Sequence, residues 1–215
     1  MSGQMNNLAV IVSFFLLGLL PLIVTMTTSF TKFTIVLTLL RSALGVQQAP
    51  SNLVIAGIAL AATLVVMGPT VAKIEAGLDL RERLESNRMP NAVEIVDAVV
   101  PPLADFMLKH SRPEERAFLL AAAKRIDPER DASETDFTLL VPAFLISEIS
   151  AGFEAGFLLY IAFLVIDLVV ANVLTAMGMV MLSPTTVSVP LKLFVFVSVS
   201  GMSKLMHSLI VSYAP

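Results

Sequence analysis

Two histidines, His110 and His207, are the only imidazoles in the 215-residue chain, and it contains no cysteine. Without thiols there can be no disulfide, thiolate metal site or thiol nucleophile. The histidines stand in different blocks of the sequence, which leaves a two-histidine metal site little to build on. No GxxxxGKS/T phosphate loop, HExxH zinc motif or GxSxG nucleophile elbow occurs. An aspartyl intramembrane protease needs two facing carboxylates at membrane depth, and only Asp167 lies so deep in an apolar stretch. The expectation is a chain with no catalytic residue, metal or cofactor, and hence not an enzyme.

A few residues remain that can do physical rather than covalent chemistry. A carboxylate at the centre of a membrane helix costs ~2.5–3.5 kcal/mol on insertion scales, so Asp167 should face protein. Lys192 is its natural mate. Counted from Pro184 as the turn of a straight hairpin, however, Asp167 stands ~25 Å and Lys192 ~12 Å away. That geometry predicts a contact between subunits rather than a bond within one chain. The alternative is a lone Asp167 hydrogen-bonded to a nearby Ser, Thr or Asn. Glu148 and Glu154 fall outside the hydrocarbon if the span runs from about Phe157 to Met177, and need no role there. Gly152 and Gly156 form a GxxxG pair, which permits close helix approach or a bend. Met177, Met179 and Met181 recur at every second position beside Val180. A helical core would favour a spacing of three or four, so this stretch predicts a loop or loosened helix. The side chains there could fill a core or, being unbranched and soft, line an adaptable surface.

The elements that must position these residues are apolar. The chain is 56% hydrophobic with a mean hydropathy of +0.86, which places it in the membrane class. Of the 14 Lys and Arg, 10 lie between Lys73 and Asp136, as do 14 of the 17 Asp and Glu. The order is thus hydrophobic block, polar block, hydrophobic block. A net charge of −3 gives no footprint for nucleic acid.

The first apolar stretch, Leu8 to Thr28, is long enough to span ~30 Å and is kinked at Pro21. No basic residue precedes it, so it reads as a retained span rather than a signal peptide. A shorter apolar piece, Phe30 to Leu40, is interrupted by Lys32 and closed by Arg41. A turn over Gly45–Asn52 leads to a span over Leu53–Ala72, where Gly57 and Ala61 stand four apart.

The polar block, 73–136, reads as helical. Ser111 with Glu114, and Asn91 with Glu94, fit capping boxes. Stripes at Val93, Val96, Val99 and Val100, and at Phe118, Leu119 and Ala122, predict either a small domain core or a docking surface. Phe144 to Met181 lacks proline and as one helix would extend ~57 Å, nearly twice the bilayer core. The last span is Val187–Val211.

The fold class is therefore an all-α membrane protein, with about four long hydrophobic helical segments and a small polar helical domain between the second and third. The domains are residues 1–72, 73–136 and 137–215. Long loops cross largely regardless of charge, and the loop near Lys32 and Arg41 is short and basic, so the expectation puts the polar domain outside the cytoplasm, which in the family resembled below is the periplasmic side. An ion channel or small-solute transporter subunit is the alternative function, with Asp167 and Lys192 lining its path.

Several stretches resemble the FliP/SctR family of type III secretion export apparatus core subunits. MTTSFTKFTIVLTLLRSALG (Met26–Gly45), the following Ala49-Pro50 and MGP (Met67–Pro69) are similar to its first half, and PLADFML (Pro102–Leu108) to its middle domain. VPAFLISEISAGFEAGFLLYIAFLVIDLVVANVL (Val141–Leu174), AMGMVMLSP (Ala176–Pro184) and the PLKL around Lys192 resemble its second half. ALGVQQAP (Ala43–Pro50) looks more like the injectisome form than the flagellar one.

The resemblance implies a homo-pentamer, joined by FliQ/SctS and FliR/SctT family subunits, in the bacterial inner membrane with the assembly projecting to the periplasmic side. Unfolded secreted proteins would thread through it. It further implies that Met177, Met179, Val180 and Met181 form a pore gasket, and that Gly152 and Gly156 pack neighbouring subunits. Two departures stand out: Val180 where three successive Met are common, and Ser200-Gly201-Met202 where Asp-Gly-Trp is common.

Overall fold

The computed structural model describes residues 18–19, 21–46, 49–79, 91–129, 131–179 and 181–214. Among these the chain is all helical. In order come α1 (Pro21–Thr27), α2 (Phe30–Leu44), α3 (Asn52–Leu78), α4 (Ala92–His110), α5 (Pro113–Ile126), α6 (Phe137–Ala176), α7 (Pro184–Ser198) and α8 (Gly201–Val211). The helices α3 and α6 are long and apolar enough to cross a membrane alone. Two bent pairs, α1 with α2 and α7 with α8, bring the candidate spans to as many as four.

The bends have local causes. Between α1 and α2 the chain turns by 86° at Thr28–Ser29. The hydroxyls of Thr25, Thr27 and Thr28 donate to the carbonyls of Pro21, Ile23 and Val24, and Thr31 donates to Thr25 O. Back-bonding of threonine hydroxyls to carbonyls four residues earlier weakens a helix and favours a bend. The bend recorded in the described residues therefore lies past Pro21, the kink expected from the sequence; residues 8–17 of that expected span lie outside them. The pair α7–α8 turns by 61° where Ser200 takes a left-handed conformation, φ 54°. A side chain at the adjacent Gly201 would sit 2.3 Å from the Phe196 ring. Gly201, the one position of Ser200-Gly201-Met202 that keeps the common residue, is thus fixed by packing, and nothing in the structure explains the changes at Ser200 and Met202.

Helix starts follow the sequence in one case and depart from it in another. Asn91 and Glu94 form the expected capping box, with Glu94 N donating to Asn91 Oδ1 at 2.9 Å and Asn91 N to Glu94 Oε2 at 3.3 Å. The box expected at Ser111–Glu114 is absent. Only two residues separate α4 from α5, so Ser111 stays bound to the preceding helix. Its hydroxyl donates to Leu108 O and accepts from Arg116 Nη1, and Arg112 becomes the N-cap residue without a side-chain bond.

One core joins the blocks. Phe33, Val36 and Leu37 of α2 pack with Ile55, Ala59 and Met67 of α3, Phe106 and Met107 of α4, and Leu140 and Phe144 of α6. The stripe at Val93 and Val96 and the ring of Phe118 are exposed instead. The polar block buries Phe106 and Met107 near the end of α4, whereas Val99, Val100, Leu119 and Ala122 of the expected stripes are half-buried. Beneath the main core, Leu40, Ala43 and Leu44 of α2 meet Phe163 of α6.

The helices α2 and α6 pack closely along two glycines. A Cβ placed on Gly152 would lie 3.2 Å from Ile35 Cβ, and one on Gly156 would lie 2.3 Å from Leu39 Cδ1 and 2.9 Å from Leu39 Cβ. The two glycines therefore receive Ile35 and Leu39 of their own chain, not a neighbouring subunit. A leucine at 156 forces α2 off α6. The Gly156→Leu change should destabilise the folded chain by about 1–3 kcal/mol, the range for overpacking. Thermal unfolding in detergent reads this directly, and Leu39→Ala should restore part of the loss in Gly156→Ala but not in a distant control.

Candidate functional site

Three groups of residues stand out from the apolar background. The first is the methionine segment. The helix α6 stops at Ala176 because Gly178 takes φ 73°, and α7 does not start until Pro184. The segment thus leaves the helix, as alternate methionines predicted. Met177 and Met179 are exposed and Met181 is fully so. Large apolar side chains on an irregular, uncovered segment call for a partner surface or a lumen. Val180 lies outside the described residues.

The second group is an ion pair. Lys192 Nζ donates to Asp167 Oδ2 at 2.5 Å and to Ala43 O at 2.9 Å. The expectation that Asp167 and Lys192 would not meet within one chain is therefore corrected. The turn of the hairpin is not at Pro184 alone but spreads over the non-helical residues 177–183. Measured from the helix ends, Asp167 is ~14 Å back from Ala176 and Lys192 ~12 Å on from Pro184, so the two fall level. The lysine is 95% shielded, whereas the aspartate side chain keeps 40% exposure. The second acceptor, Ala43 O, belongs to the last turn of α2, where carbonyls lack helical partners and favour a cation.

The third group was missed by sequence reasoning. Glu148 is 3% exposed, inside α6, and accepts a hydrogen bond from the Tyr213 hydroxyl. Lys32 of α2 donates to Ser212 Oγ at 2.8 Å, and its ammonium lies 4.3 Å from the Tyr213 ring centroid. His110 of α4 packs edge-on to Tyr213 at 5.1 Å and against Phe106 at 4.7 Å. The last residues after α8 are thereby tied to α2, α4 and α6. Glu148 is buried in protein because α6 starts seven residues before Phe144 and is wrapped there by α4, α5 and the C-terminal segment, a role that the expected place outside the hydrocarbon leaves open. Glu154 is exposed and pairs with Arg112 at 2.7 Å. The signal available in sequence was the Lys32 that interrupts an apolar run: a lone buried cation demands a partner. Its partner, 180 positions away, carries no local cue.

Among the described residues no group of three or more His, Cys, Asp or Glu could hold a metal ion. What the arrangement offers is fixed register, paired charges and an uncovered soft apolar loop.

Comparison with known proteins gives a consistent picture. The FliP family model matches residues 13–209. Yop proteins translocation protein R of Yersinia pestis is 42% identical over 210 residues, covering 96% of this chain and 95% of that protein. The harpin secretion protein HrpW of Pseudomonas syringae pv. syringae is 44% identical over 200 residues, covering 92% and 96%. The flagellar biosynthetic protein FliP of Caulobacter vibrioides is 45% identical over 200 residues, covering 92% of this chain and 73% of that protein.

Two outcomes follow from the polar groups. Removing the carboxylate strands a nearly buried ammonium, whereas removing the lysine leaves a carboxylate with access to solvent. Asp167→Leu should therefore lower the yield of folded protein more than Lys192→Leu, and Asp167→Asn, which keeps an acceptor, should be mildest. Equal losses in size-exclusion profiles would refute the asymmetry. At His110, burial first, and then the charges of Lys109 and Lys32, push the pKa below its ordinary value. A depressed histidine contributes stability that is complete above the unfolded value of ~6.5 and falls away as pH drops through it. Melting between pH 8 and pH 5 should accordingly show a steeper acid loss in wild type than in His110→Phe, and superimposable profiles would exclude the histidine.

Proposed function

The chain belongs to the FliP family, and on that premise we propose that it is a core subunit of a type III secretion export gate of the injectisome kind. Five copies form a ring with FliQ/SctS and FliR/SctT family subunits in the bacterial inner membrane. The block over 73–136 faces the periplasm, and unfolded secreted proteins pass along the ring axis. The subunit positions and seals; it carries out no covalent chemistry.

The observation that carries this reading is the family match over residues 13–209. Its relatives are named for translocation and secretion, those of Yersinia and Pseudomonas among them. The geometry is compatible with a gate. Met177, Met179 and Met181 stand free of any helix and uncovered within the single chain. Methionine has three rotatable bonds and a polarisable thioether, so a ring of such residues can close on itself and re-form around varied polypeptide. Large apolar side chains along α6, including Phe153, Phe157, Leu158 and Leu168, are also uncovered and call for lipid or protein neighbours.

A channel or transporter subunit for ions or small solutes would use Asp167 and Lys192 as its path. Those two charges are engaged with each other at 2.5 Å, which leaves that reading without its principal feature.

The gate reading is tested on the assembled complex in planar bilayers. Replacing Met179 and Met181 together by Ala should leave assembly intact on native gels but open a resting leak to ions where wild type is closed. An assembled double variant that conducts no more than wild type would sink the gasket. Native mass spectrometry of the chain co-expressed with its partner subunits should give five copies, and any other number would overturn the ring stoichiometry.

A further inference from the structure

The sequence holds 11 methionines. Among the described residues Met67 and Met107 are buried, 5% and 0% exposed, and Met26, Met202 and Met206 are half-buried. Met177 and Met179 are 66% and 44% exposed, and Met181 is fully so. The solvent-facing thioethers of the described residues are thus gathered into one short segment, Met177–Met181.

The backbone there explains why side chains, not amides, are what the segment presents. Helix α6 ends in a Schellman closure, with Gly178 at φ 73°. Gly178 N donates to Thr175 O at 3.0 Å and Met179 N to Leu174 O at 2.9 Å. One turn on, Leu182 N donates to Met179 O at 3.2 Å. These amides are engaged with their own turns, and neither apolar core cluster of the described residues includes the three methionines.

An uncovered thioether is open to oxygen transfer from a peroxide. A sulfur lone pair attacks one oxygen of hydrogen peroxide and the O–O bond breaks. The hydroxide released takes the proton of the new S–OH group, which leaves a sulfoxide and water. Sulfur gives up two electrons and the peroxide is reduced. Susceptibility follows exposure, and the product is polar where the thioether was apolar.

We propose that Met177, Met179 and Met181 form a peroxide-sensitive modification site, at which conversion to sulfoxide unseals the export gate. The oxidation needs only the exposed segment, whereas its consequence rests on the gasket reading above. An apolar constriction closes by excluding water. Sulfoxide oxygens put strong hydrogen-bond acceptors on that surface, and water enters with them.

The test treats the purified assembled complex with graded hydrogen peroxide. Mass spectrometry of its peptides maps the oxidised residues, and planar bilayers record conductance. Met177, Met179 and Met181 should gain oxygen about ten-fold faster than the buried Met67 and Met107. The resting complex should begin to conduct as they do. In a Met177→Leu, Met179→Leu, Met181→Leu variant, whatever its own resting conductance, peroxide should add nothing. Equal oxidation of exposed and buried methionines overturns the proposal, as does protection of the three in the complex. So does a peroxide-induced leak of wild-type size in the triple variant. An oxidised segment in a complex that stays closed overturns it too, and the Met179→Ala, Met181→Ala variant then separates the two premises. A leak in that variant removes only the sulfoxide effect; a closed one removes the gasket as well.

Discussion

The seating of α2 in the groove made by Gly152 and Gly156 is the constraint on which the rest of the chain depends. Ile35 and Leu39 descend onto bare backbone, so the two helices run closer than larger residues would allow. That approach brings Lys32 at one end of α2 to the C-terminal segment and Ala43 at the other end to Lys192. It also places Arg41 on the wall of a cavity shared with α7. A shift of α2 by one turn, ~5.4 Å, would break all three relations at once.

The polar ties at the two ends of α2 serve a different purpose from the apolar contacts between them. Burial of Phe33, Val36 and Leu40 drives association but does not fix register, because apolar side chains can re-pair one turn along. A buried ammonium cannot. Among the described residues Lys32 donates to Ser212 Oγ and lies over the face of Tyr213, and Lys192 donates to Asp167 and Ala43 O. A buried ion pair adds little net stability over a hydrophobic replacement, yet breaking one strands a charge. The ties therefore penalise wrong registers more than they stabilise the right one.

Much of this was legible in the sequence, and the failures share a cause. The helices, the excess length of α6, the break at the methionines and the capping box at Asn91 all follow from local composition and spacing. The FliP/SctR resemblance carried the family. Local rules failed where a residue's partner is distant in sequence. Asp167 and Lys192 were judged by counting from Pro184, but the helix had already ended at Ala176. Gly152 and Gly156 were correctly read as packing positions, yet their occupants, Ile35 and Leu39, lie in α2 of the same chain rather than in a neighbour. Placing Glu148 outside the hydrocarbon says nothing of its burial in protein, and no nearby residue announces Tyr213. The stripe at Val93 and Val96 satisfied helical periodicity but faces outward, since periodicity identifies an apolar face and not what covers it.

That last distinction bears on how copies of the chain can meet. In a single helix, small residues and large ones can each make an interface, but the small ones permit only a partner whose side chains fill the groove. In α6 that groove is already filled from within the chain. The surface left for neighbours is the opposite kind: Phe153, Phe157, Leu158, Leu168 and Val169 stand outward in succession. Contacts built on such residues rest on side-chain rotamers rather than on backbone contact, so they tolerate small changes in helix angle that a glycine groove would not. A subunit made this way is rigid inside, where α2 locks to α6, and yielding at its edges.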